Sequence, residues 1–256
     1  MAEQADKNCR PSGCSQCRNT EALAFDFSMA FQPVVDTRCH KVFAQEALAR
    51  GPSNETATTI LDKLTEDNLY RFDQACRVKA IELASRFESD AMLSINFMPR
   101  AVYQPERCIR TTLEAAEKYS FDYKRIIFEF NEAERVDKIS HLKGIVEAYQ
   151  SMGFKTAIDD FGAGYSGLNQ LTDLQPDLIK LDMKLIRGID HCSKRQIIVR
   201  AMVNMCRDLG TEVIAEGIET ADEKMALDDL GIYFQQGYLY AKPAFERFVT
   251  AHEINW

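Results

Sequence analysis

The sequence predicts an α/β protein whose strands close into a β/α barrel with an atypical start. Three observations carry this. Short β-rich runs alternate with helical patterns over residues 25–256, eight such runs can be marked, and the first two lie too close together for a crossover helix. A chain of 256 residues at 46% hydrophobic content is long enough for one large core of this kind.

The opening runs, 30–35 and 42–48, are separated only by residues 36–41, so they are expected to pair antiparallel. The later runs are 91–97, 125–130, 154–158, 178–181, 212–215 and 234–240. Between most of them apolar residues recur at three- and four-residue spacing, the mark of a helix with one buried face. The longest such pattern, 57–88, carries Ile60, Leu61, Leu64, Phe72, Cys76, Ile81 and Leu83. Others span 106–119, 141–152, 194–209 and 222–230. Gly153 and Gly210 fall where two of these helices should stop. The expected fold is therefore a modified TIM-type β/α barrel with an antiparallel first strand, and an open doubly wound sheet is the alternative.

No apolar stretch approaches the roughly 20 residues of a membrane span, and residues 1–20 lack the apolar core of a signal peptide. The chain reads as soluble and cytoplasmic, without membrane insertion. Its net charge of −8 disfavours long DNA or RNA as a partner. A small phosphate compound remains compatible if metal ions supply local positive charge.

Eight cysteines divide into two groups. Cys39, Cys76, Cys108, Cys192 and Cys206 are dispersed, as reduced and mostly packed thiols are. Cys9, Cys14 and Cys17 cluster in a polar leader, residues 1–24, which reads as flexible. A metal or redox role for them is the alternative, with Cys39 and His40 as possible further ligands.

In a β/α barrel the chemistry collects at the C-terminal ends of the strands. Those positions are Glu46, Asn96, Glu129, Asp159 with Asp160, Lys180, Glu216 and Gln236. A single acid there often caps a helix or faces water, but a polar group on nearly every strand implies convergence. Converging carboxylates require a cation, and oxygen donors suit Mg²⁺ or Mn²⁺. The densest instance is Asp159-Asp160-Phe161-Gly162-Ala163-Gly164-Tyr165-Ser166, two adjacent acids opening onto glycines.

Gln45-Glu46-Ala47-Leu48-Ala49-Arg50 contains the Glu-Ala-Leu signature of the EAL domain family, the phosphodiesterases of cyclic di-GMP. Phe31-Gln32-Pro33-Val34-Val35, Ser94-Ile95-Asn96, the Asp-Asp-Phe-Gly segment, the run from Pro176 to Asp182, the run from Ala215 to Thr220, and Gln236-Gly237-Tyr238 resemble the family's successive motifs. A lone triplet would carry little, but the ordered series is specific and runs from about Phe31 to Pro243.

The resemblance implies hydrolysis of cyclic di-GMP to linear 5′-pGpG with two ions, Mg²⁺ or Mn²⁺. It implies Glu46, Asn96, Glu129 and Asp159 as ligands of the first metal, and Asp159 as the bridge to a second that Asp160 completes. Lys180 would hold the attacking water, and Glu216 would act as general base or second-metal ligand. Gln32, Arg50, Asp182 and Gln236 resemble substrate-facing positions. Glu132 resembles the carboxylate that braces the Asp-Asp-Phe-Gly loop, linking metal binding to a homodimer contact. One departure stands out: the family's Glu-apolar-Thr-Glu reads Glu129-Phe130-Asn131-Glu132 here, and Asn131 is expected either to tune the site or to cap the following helix. A non-catalytic receptor or protein-interaction module, and a metal phosphodiesterase acting on other dinucleotides, are the alternative readings.

Overall fold

The computed structural model describes residues 23–132, 139–164 and 167–256. Cys9, Cys14 and Cys17 lie outside them, as do Tyr165 and Ser166. In chain order the elements are β1 (Ser28–Asp36), β2 (Lys41–Arg50), α1 (Ala57–Leu61), α2 (Glu66–Ala84), β3 (Met92–Asn96), α3 (Pro105–Cys108), α4 (Arg110–Lys118), β4 (Ile126–Asn131) and α5 (Ile139–Ser151). They continue with β5 (Lys155–Phe161), α6 (Gly167–Leu174), β6 (Leu178–Leu181), α7 (Met183–Ile186), α8 (Ser193–Leu209), β7 (Glu212–Ala215), α9 (Ala221–Asp229), β8 (Phe234–Gln235) and β9 (Ala244–Phe245).

Strands β2 to β8 follow one another around the barrel in parallel, and β1 closes it between β8 and β2, antiparallel to both. The expected antiparallel opening is present, with Gln32 opposite Glu46. Strand β8 is shorter than the sequence pattern suggested and pairs only with Val35 and Asp36 of β1. The two residues of β9 occupy the same edge farther along, at Ala30 and Phe31. The long pattern 57–88 breaks into α1 and α2 where Thr65 and Asn68 form a capping box. Helix α6 was not anticipated, because Gly167 opens it and its apolar stripe is only eight residues long. Gly153 and Gly210 follow α5 and α8 with φ of +93° and +73°, a conformation that a side chain would strain.

Strand alternation sorts the barrel interior into layers. Val34, Ala44, Ile127, Ala157, Leu178 and Ile214 form a small apolar cluster, with Phe43, Met92 and Phe234 packed against it. Two residues farther along β2, β4, β5 and β6 stand Glu46, Glu129, Asp159 and Lys180, and at the same step Glu216 directly follows β7. On the antiparallel β1 the equivalent step runs backwards, from Val34 to Gln32. The ionisable layer is thus fixed by the same register that buries the apolar one.

Outside the barrel Arg77 of α2 is fully buried and pairs with buried Asp73 at 2.8 Å. It also donates to Tyr149 Oη at 3.0 Å and lies over the rings of Phe97 and Phe128. Arg77→Met would strand the Asp73 carboxylate in this aromatic shell. The expected loss is about 3–5 kcal/mol in urea unfolding, the usual cost of breaking a buried pair from one side. A change below about 1 kcal/mol would show that Asp73 is satisfied without it.

Candidate active site

Lys180 Nζ stands at the centre of the ionisable layer. It lies 2.8 Å from Glu216 Oε1, 2.9 Å from Glu129 Oε2, 3.1 Å from Asp159 Oδ1 and 3.2 Å from Glu46 Oε2. Four carboxylates therefore face one ammonium, leaving three negative charges uncompensated if all four ionise. Burial opposes the charge on Lys180, but these carboxylates hold its proton well above the ordinary lysine range. Glu46 is also buried, yet Lys180, Gln236 and Asn96 keep it below the usual carboxylate range. Burial pushes Glu129 up to about 8, aided by Glu46 and Asp159 and opposed by Lys180. Burial likewise raises Glu216 well above its ordinary value.

The neighbouring side chains fix this set. Asn96 Nδ2 donates to Glu46 Oε1 at 3.0 Å, and Gln236 Nε2 to Glu46 Oε2 at 2.8 Å. Ser94 Oγ donates to Glu129, and Asn131 Nδ2 to Asp160. Ser94 was overlooked in the sequence, although it shares the inward face of β3 with Asn96. Asn131 serves the acidic pair directly.

Adjacent residues of a regular strand point to opposite faces, so Asp159 and Asp160 should not reach one site. They do so because the pairing of β5 with β6 shifts between Ile158 and Phe161, where Asp160 adopts φ +54°. Aspartate is among the few residues with a side chain that tolerate this conformation. Oxygens of Asp159, Asp160 and Glu216 lie within 4.8 Å of one another. Burial and the Asp159 charge raise the Asp160 proton affinity.

Beyond the bulge, Glu132 is buried and its Oε2 accepts from the backbone of Gly162 at 2.7 Å and Gly164 at 3.3 Å. Gln170 of α6 holds the Glu132 carbonyl at 3.1 Å. Another organising acid, Glu223, accepts from the backbone of Gly188, Glu219 and Thr220 and ties down the loop after β7. Its signal was present in the sequence as the capping box Thr220-x-x-Glu223.

The mouth is a cavity of about 290 Å³ whose lining includes Gln32, Glu46, Asp160, Asp182, Glu216 and Gln236. Gln32 Nε2 donates to Ala241 O at 3.2 Å, and Asp182 Oδ1 accepts from Lys184 N at 2.9 Å. Arg50 is not in this lining; its Nη1 donates to the carbonyl of Ala49 at 2.8 Å. A second cavity, about 410 Å³ and mainly apolar, meets the site at Glu46, Asn96 and Asp159 and is walled by Phe72, Ile95 and Met98.

Raised carboxylates have a consequence for the metal-free protein. A group whose proton is held more tightly in the fold contributes stability below its unfolded value, and that contribution disappears as pH rises through its folded value. For Glu129 the window runs from 4.5 to about 8, and Glu216 shifts in the same direction. Glu46 acts oppositely, but below pH 4.5. The urea midpoint of metal-stripped protein is therefore expected to fall between pH 5.5 and pH 8, and a flat or rising midpoint would contradict the assignment.

Fold and site together define a β/α-barrel protein with an acidic mouth. The chain belongs to the EAL domain family, whose model matches residues 18–243. It is 52% identical in sequence to a standalone versatile EAL protein from Vibrio cholerae O395, solved in a c-di-GMP bound form. The TM-score is 0.87, covering 90% of this chain and 97% of that one. BlrP1 of Klebsiella pneumoniae, solved as a manganese/cy-diGMP complex, is 32% identical with a TM-score of 0.82, over 88% of this chain and 58% of that one. Among curated relatives, the cyclic di-GMP phosphodiesterase PdeR of Escherichia coli is 36% identical over 139 residues, 53% of this chain and 21% of PdeR. The blue light- and temperature-regulated antirepressor BluF of the same organism is 30% identical over 214 residues, 83% of this chain and 53% of BluF. This chain thus spans about half of BluF and a fifth of PdeR. Among the described residues no helix is long and apolar enough to cross a membrane.

Proposed function

We propose that this chain hydrolyses cyclic di-GMP to linear 5′-pGpG with Mg²⁺ or Mn²⁺, two ions per site. The observation that carries the reading is the ring of Glu46, Glu129, Asp159 and Glu216 around Lys180, with Asp160 brought alongside by the bulge. The donor set fits a hard cation: it is all oxygen, and its four carboxylates around Lys180 share one ammonium. Glu46, Asn96, Glu129 and Asp159 would hold one ion, and Asp159, Asp160 and Glu216 the other. When bound, the ions supply positive charge to the phosphoryl oxygens and acidify the attacking water.

The remaining roles belong to the chain. Lys180 Nζ donates to the attacking water and orients it. Glu216, 2.8 Å from the same ammonium at Oε1, takes the proton from that water. Gln32, Asp182 and Gln236 face the substrate from the mouth, and Arg50 turns from the Ala49 carbonyl to fork onto a phosphate. The apolar cavity beside Asn96 suits a guanine ring. Glu132 holds the loop after Asp160, the expected contact of a homodimer. All five described cysteines are free, in keeping with a reducing, cytoplasmic location.

A second reading, a receptor or interaction module without turnover, is favoured by one comparison, because BluF is named an antirepressor. A chromatographic assay with purified protein and cyclic di-GMP separates the two. Linear product is expected with Mg²⁺ and with Mn²⁺. Calcium is expected to inhibit, since its looser coordination misplaces the water. Tight binding of cyclic di-GMP without product under either metal would establish the receptor reading.

A further inference from the structure

Asn131 stands where the family motif has threonine. It follows Glu129 on the inward face of β4 and pairs in register with Asp159 of β5. Its Nδ2 donates to Asp160 Oδ2, and the opposite orientation of the amide would set its oxygen against a carboxylate. The amide carries this donor one bond farther from the backbone than a threonine hydroxyl would.

This bond joins a frame that holds the backbone around Asp160, itself in the left-handed region at φ +54°. Glu132 N donates to Asp159 O at 3.0 Å, Ala163 N to Asp160 O at 3.0 Å, and Gly162 N to Glu132 Oε2 at 2.7 Å. Of these bonds only that from Asn131 reaches the Asp160 carboxylate. The frame sets where Asp160 stands, and Asn131 sets how its side chain is turned. A carboxylate tied at Oδ2 meets an ion most readily through Oδ1 alone.

Ion choice depends on that freedom. Mg²⁺ demands near-octahedral geometry at short range, and Mn²⁺ suits similar oxygen sites. Ca²⁺ accepts more oxygens at longer range, from carboxylates bound through one oxygen or both, in flexible geometry. A pinned carboxylate therefore suits the smaller ions, and one free to turn suits Ca²⁺ as well. We propose that Asn131 is a positioning residue that sets the ion preference of the second metal position, pinning Asp160 for Mg²⁺ or Mn²⁺ and against Ca²⁺. The proposal rests on the two-ion reading given above.

Titration calorimetry of the metal-free full chain with MnCl₂ and, separately, with CaCl₂, in the absence of nucleotide, tests it. In Asn131→Ala the ratio of Mn²⁺ to Ca²⁺ affinity is expected to fall about tenfold, through weaker Mn²⁺ binding with Ca²⁺ binding unchanged or tighter. If that variant folds poorly, Asn131→Val keeps a side chain suited to a strand, has no donor, and should give the same change. An unchanged ratio, or an equal loss of both ions, in a folded variant would overturn the proposal. The expected fall in ratio would uphold it even in a chain that forms no linear product, a result that would count against the hydrolysis reading alone.

Discussion

Glu46→Gln is expected to reduce cyclic di-GMP turnover by about a thousandfold or more, equivalent to roughly 4 kcal/mol of transition-state stabilisation, while the barrel stays folded. The carboxylate is engaged on both oxygens, by Asn96 on one side and by Lys180 and Gln236 on the other. An amide of the same shape can serve only one side as acceptor, and its NH₂ then meets a donor. Rotation of the exposed Asn96 amide relieves the clash by presenting its oxygen to the new NH₂, so the fold has an inexpensive way to accommodate the change.

Function has no such route. Of the proposed ligand atoms, one charged oxygen becomes a nitrogen donor, and metal affinity and water positioning fall together. Because four carboxylates share one ammonium, removing one negative charge also relieves repulsion in the metal-free protein. The metal-free melting temperature is expected to stay level or rise, while the increase produced by Mn²⁺ shrinks. Turnover within tenfold of wild type in the folded variant would remove Glu46 from the catalytic assignment.

The strands and their order were legible because each carries a short apolar run and the connection between the first two is short. The ionisable residues were legible for the same reason, since a polar group two positions beyond a buried one is visible in the string. What the string concealed depends on register between distant segments. Nothing in Ala157-Ile158-Asp159-Asp160 announces the shift against β6 that turns both acids to one side. The convergence of Glu46, Glu129, Asp159 and Glu216 on Lys180 joins residues from four strands and the residue that follows a fifth. Pattern alone could suggest convergence but not its centre. Strand β8 was overextended because Gln236-Gly237-Tyr238 continues its composition, whereas the backbone of Ile218 pairs with Gln236 and Leu239 and turns the chain away. Placement of Arg50 was equally hidden, since a strand-end arginine can reach either the mouth or its own backbone.

Lys180→Met is expected to have the largest effect on the metal-free protein. Methionine fills similar space but leaves Glu46, Glu129, Asp159 and Glu216 facing one another without their shared cation. Breaking a buried ion pair from one side costs about 3–5 kcal/mol, and the carboxylates limit the loss only by taking up protons. The deficit in urea unfolding should therefore be smaller at pH 5.5 than at pH 8. Saturating Mn²⁺ should close most of it, since divalent charge replaces the ammonium within the same oxygens. Turnover should nevertheless remain at least a hundredfold below wild type in the metal-restored variant, because the proposed donor to the attacking water is gone. That split between recovered stability and unrecovered rate distinguishes a lysine that acts on the reacting water from one that only neutralises its neighbours. Equal metal-free stability of variant and wild type at pH 8 would show that the four carboxylates are not held by Lys180. Recovery of rate together with stability would reduce Lys180 to a counterion.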